Sequence, residues 1–107
     1  MSVPTVELLW FEGCPNHEHA EELVREVLTG FGIRAPVHRI EVPDEAAGKR
    51  VCFPGSPTVR VNGGDVEPGW ECCEDCTPRC RVYATEAGLK GIPPRQWIVE
   101  AVRAALA

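Results

Sequence analysis

Residues 8 to 17 read LLWFEGCPNH, and a run of large apolar side chains stops there at Gly13, Cys14 and Pro15. The first N–H groups of a helix have no partner within it, and the helix dipole places partial positive charge at that end. A sulfur seated there is stabilised as thiolate, the nucleophilic form, and such placement can bring a thiol pKa from about 8.5 to below neutrality. Cys14 is therefore the candidate reactive sulfur; the alternative is a small buried apolar residue, as unpaired cysteines often are. His17 follows three residues later. It could favour the thiolate when protonated, or lie as solvated helix surface.

A second constellation is WECCEDCTPRC, residues 70 to 80, with Cys72, Cys73, Cys76 and Cys80. Four thiolates suit zinc, and softer ions such as mercury(II), copper(I) or arsenic(III) prefer them still more. The vicinal Cys72 and Cys73 do not easily ligate one ion together. Disulfides stapling this Gly- and Pro-rich stretch, a redox pair, or inert thiols are the competing expectations. Glu71, Glu74 and Asp75 add negative charge that favours a cation but opposes thiolate formation.

These residues need a frame. TVELLWF, residues 5 to 11, is continuously apolar from Leu8, as a strand buried on both faces is. From Pro15 to Phe31, Ala20, Leu23, Val24, Val27, Leu28 and Phe31 recur at helical spacing, with Glu21 placed to pair with Arg25. Residues 37 to 42 predict a second strand, in which His38 is read as a structural residue. Asp44 can cap a short helical turn. Thr58 to Val61 predicts a third strand, and Asn62-Gly63 a tight hairpin turn. The return strand begins at Val66 or only at Cys80 to Tyr83, because residues 67 to 79 interrupt the pattern. Pro93-Pro94 then opens a last helix whose face is Ile98, Ala101, Val102, Ala105 and Leu106. The expectation is one α/β domain over residues 1 to 107, a mixed four-stranded sheet flanked by helices, with a Cys-rich insertion at 67 to 79 before the last strand.

At this point the chain resembles the thioredoxin and glutaredoxin superfamily. WFEGCPNH corresponds to the family's strand, loop and active-site cysteine, and GSPTVRVNG to its loop ending in a cis-proline before the third strand. More narrowly it resembles small thioredoxin-like proteins with a CPN motif and a strand like CRVY, some found alongside organomercurial lyases. The resemblance implies a thioredoxin-like fold with Pro57 as the cis-proline. It implies too that Ser56 offers backbone groups to a substrate's extended chain or to glutathione. A dithiol member has a second cysteine where this chain has His17, so self-resolving CxxC exchange is excluded. Resolution could come from glutathione as co-substrate, or from Cys52 in the loop leading to Pro57, unless Cys52 is a buried core cysteine. The third route passes a metal or organomercurial to another thiol.

The function so implied is thiol-disulfide exchange through Cys14, on a thiol or disulfide substrate that is a protein or a small molecule. The alternative is a non-catalytic soft-metal carrier. With 107 residues and a formal charge of -5, neither nucleic acid nor an anionic membrane is an expected partner. The absence of a secretory pattern predicts a cytoplasmic protein. Because Pro57 starts a strand that leads away from Cys14, the Cys-rich insertion is expected to form a site distinct from it.

Overall fold

β1, Val6–Trp10, sits between two other strands because it is apolar on both faces. It pairs in parallel with β2 (Val37–Glu41), from Val6 opposite Val37 to Trp10 opposite Glu41, and antiparallel with β3 (Thr58–Val61). β3 pairs in turn with the two-residue β4 (Gly64–Asp65), so the sheet runs β2-β1-β3-β4. The computed structural model describes residues 3–72 and 75–107.

Helices cover both faces. α1 (His17–Gly30) and α3 (Arg95–Leu106) share one side, where Ala20, Val24, Ile98 and Val102 pack with Val6 and Leu8. On the other side Leu9 packs with Val42 and Phe53, which α2 (Glu45–Val51) covers through Ala47 and Val51. This mixed sheet between helix layers is the thioredoxin-like fold. No described helix is long and apolar enough to cross a membrane.

Most predicted elements appear in place. The Glu21–Arg25 pair forms at 2.9 Å, and Asp44 caps α2 by accepting the Ala47 N–H at 2.8 Å. The 62–63 turn has left-handed φ values of 51° and 82°, which Asn and Gly tolerate best. α2 runs longer than the short turn expected. It passes through Gly48, a weak helix former, because the main chain of Cys76 lies where a Gly48 side chain would stand. His38, read as structural, is exposed on the edge strand β2.

The return strand differs. It begins at Gly64, ahead of both expected starts, and lasts two residues. Residues 80 to 83 do not join the sheet beside it: Cys80 makes an isolated parallel bridge to Ser56. Tyr83 opens a separate hairpin of β5 (Tyr83–Thr85) and β6 (Gly88–Lys90). That hairpin is closed by Thr85, whose hydroxyl donates to the Gly88 carbonyl at 2.6 Å and accepts the Ala87 N–H at 3.1 Å. The chain leaves the sheet because the Arg81 side chain turns inward to Asp65 and Glu67.

Candidate functional site

β1 ends when the Phe11 carbonyl accepts the Cys14 N–H at 3.1 Å, turning the chain before α1. The Asn16 N–H donates to Cys14 Sγ at 3.4 Å, while the Asn16 carbonyl takes the Ala20 N–H at 3.1 Å and so begins the helix ladder. The sulfur thus stands at the positive end of α1 with a main-chain donor on it, and it is only 4% exposed. Cys14 is thus buried and faced by one main-chain donor.

His17 makes its contacts with Trp10 and Arg39. Its ring is half-buried and stacks on Trp10 with centroids 4.6 Å apart. Its Nδ1 lies 2.8 Å from Arg39 Nη2. A guanidinium only donates, so Nδ1 is the acceptor and the neutral ring's proton sits on Nε2. Arg39 also lies 4.8 Å over the Trp10 ring and pairs with Glu21. Burial acts to raise the Glu21 pKa, but hydrogen bonds and charge from Arg39 and Arg25 outweigh it and hold the carboxyl below its ordinary range. The side chain expected to act on Cys14 is engaged with Trp10 and Arg39.

The Ser56–Pro57 peptide is cis, as the resemblance implies. Ser56 is fully buried, and its Oγ accepts the Phe11 N–H at 3.4 Å, so this loop and the Cys14 turn meet on Phe11. Its main-chain groups, which the resemblance offers to a substrate, bond within the chain here. The Ser56 N–H donates to the Arg79 carbonyl and the Ser56 carbonyl accepts the Arg81 N–H, both at 2.8 Å. Gly55 permits this approach: it has φ 134°, and a Cβ there would meet Arg81 Cβ at 2.9 Å.

The cysteines pair in a way that spacing did not reveal. Cys52 and Cys72, 20 positions apart in sequence, form a disulfide with Cα atoms 5.7 Å apart. In this bond Cys52 holds no free thiol, and it is not a buried core cysteine. It is the half-buried C-cap of α2 in the left-handed conformation, φ 52°, and its carbonyl accepts Arg60 Nη2 at 3.0 Å. The bond withdraws Cys72 from the expected metal set, and its partner lies outside the insertion. Of the rest, Cys76 is buried against α2, Cys80 is exposed, and Cys73 lies outside the described residues. Among the described residues no three His, Cys, Asp or Glu side chains group to hold an ion. Trp70 stands by Arg60, whose guanidinium carbon is 5.6 Å from its ring centre.

The insertion follows Val66, whose N–H meets the Val59 carbonyl, crosses α2 at Gly48 and ends on Ser56.

What fastens that end is a buried ionic cluster, absent from the sequence reading because its members are far apart along the chain. Arg81 meets both Asp65 oxygens at 2.7 and 3.0 Å, Glu67 at 2.9 Å and Thr58 Oγ1 at 3.0 Å. The guanidinium also covers the Tyr83 ring at 4.3 Å. Burial alone would lower the Arg81 pKa, yet the Asp65 hydrogen bonds and neighbouring charges raise it. Tyr83 donates its hydroxyl to the Pro57 carbonyl at 2.5 Å, and burial pushes its pKa well up. A raised tyrosine pKa gives stability that is full below the unfolded-chain value of about 10 and is lost as pH rises beyond it. The parent should lose stability more steeply than Tyr83→Phe above about pH 10, by up to about 1.4 kcal/mol per pH unit, in urea titrations. Parallel curves for the two would refute this.

The model of a family described as a domain of unknown function (DUF2703) matches residues 15–102. The match begins just after Cys14 and takes in the cis-proline loop, the insertion and most of α3. No curated protein and no solved structure matches the chain.

Proposed function

The chain belongs to that DUF2703 family, whose description assigns no activity, so the reading must come from the site, and we propose that the protein carries out thiol-disulfide exchange through the single cysteine Cys14. The observation that carries this is the Asn16 N–H directed at Cys14 Sγ, at the start of α1 and beside the cis-proline loop. In the first step the Cys14 thiolate attacks one sulfur of a substrate disulfide. A Cys14–substrate disulfide forms, the substrate's S–S bond breaks, and the other half departs as thiolate. A second thiol, of the glutathione class, then attacks the mixed disulfide, leaves with the substrate half as a new disulfide, and returns Cys14 to the thiolate. The resolving thiol comes from outside Cys52, because Cys52 is bonded to Cys72.

The deciding experiment is glutathione-dependent reduction of a small disulfide by the parent and by Cys14→Ser. The parent should exceed the glutathione-only control and the variant should fall to it. A variant that retained the parent's rate would reject the proposal.

A further inference from the structure

An extended polypeptide docks beside a reactive group by adding its own N–H and C=O to an unpaired strand edge. Next to Cys14 the candidate edge is Ser56, whose Oγ meets the Phe11 N–H while the Phe11 carbonyl holds the Cys14 N–H. Both Ser56 main-chain groups are already used by the chain's own Arg79 and Arg81. This segment is tied by the Arg81 side chain, 5% exposed and held by Asp65 and Glu67, while the Arg79–Asp75 pair at 2.8 Å lies exposed. Gly55 offers no Cβ to keep it away.

We infer that Arg79–Arg81 is a built-in occupant of the edge at Ser56, with Arg81 the residue that sets specificity, so that Cys14 exchanges with low-molecular-weight disulfides and not with disulfide-bonded polypeptides. The inference rests on the reactivity proposed for Cys14 and narrows its substrate class. The near-complete burial of Cys14 agrees with it, since a small reactant needs less of the surface to open. Releasing Arg81 would free the Ser56 groups for an incoming chain.

The test measures adduct formation at Cys14 by intact mass and peptide mapping. The whole protein is given glutathione disulfide, or an extended peptide dimer linked by a disulfide, and each rate is divided by that of free N-acetylcysteine. The parent should strongly prefer glutathione disulfide, and Arg81→Ala, which removes the side chain that anchors the segment to Asp65 and Glu67, should lose that preference. Equal relative rates in the parent would overturn the inference and leave the reactivity of Cys14 standing. A folded variant that kept the parent's preference would overturn it too. Failure of Cys14 to react with either disulfide would instead remove the exchange reading and this inference with it. Should that variant not fold, hydrogen exchange on the parent decides. The Ser56 and Arg81 amides are expected to exchange slowly, and exchange at the rate of an open loop would refute the internal strand.

Discussion

Arg81→Ala should lower the free energy of unfolding by about 3–5 kcal/mol, read as a fall in the urea midpoint at unchanged slope. The reason is the carboxylate left behind. The Asp65 side chain is 1% exposed and takes two hydrogen bonds from Arg81, so truncating the arginine strands a charge away from water. Thr58 Oγ1 loses a donor and Glu67 a partner in the same change. Glu67 matters less, since its side chain is 35% exposed and water can replace the arginine. Arg81→Met combined with Asp65→Leu should recover most of the loss, because apolar side chains of similar size remove both charges together. A loss below about 1 kcal/mol for Arg81→Ala, the level of an exposed ion pair, would show that the cluster does not hold the insertion.

Cys72→Ser should cost about 3 kcal/mol without reductant and nothing with it. Cys52 and Cys72 are 20 positions apart, and closing a loop of that length in the unfolded chain removes entropy worth about 3 kcal/mol on the chain-entropy account. The parent in reductant should therefore unfold with the variant. Cys52 adds a second effect. Its φ of 52° is a conformation that glycine adopts without penalty, so Cys52→Gly with Cys72→Ser should exceed the reduced parent by up to about 1 kcal/mol. Thermal unfolding with and without reductant, alongside intact mass to count the bonds, measures both. A parent whose stability ignores reductant while its mass shows the bond formed and broken would contradict the loop-closure argument.

Both effects act on the region whose structure was least legible in the sequence. Repeating patterns are local, and the elements defined by them were readable: β1 from its unbroken apolar run, α1 from its apolar stripe, and the 62–63 turn from Asn-Gly. The position of Cys14 at the α1 start followed from the same local logic, and so did the loop at Ser56–Pro57 once the resemblance was drawn. Residues 67 to 83 carry no such period. Their course is set by contacts between residues distant in the chain, including Cys52 with Cys72, Gly48 with Cys76, Ser56 with Arg79 and Arg81, and Asp65 with Arg81. The β5–β6 hairpin carries one local sign, Thr85 three residues before Gly88, whose carbonyl its hydroxyl meets.

By itself, then, the sequence determined the first three strands, the helices that cover them and a sulfur at a helix start, because hydrophobic period and turn chemistry are written residue by residue. Which partners His17 takes, what fills the edge at Ser56 and which cysteines bond were decided by tertiary structure alone. Each depends on two side chains or main-chain segments that meet only after the sheet has formed, and cysteine spacing carries no information about that meeting.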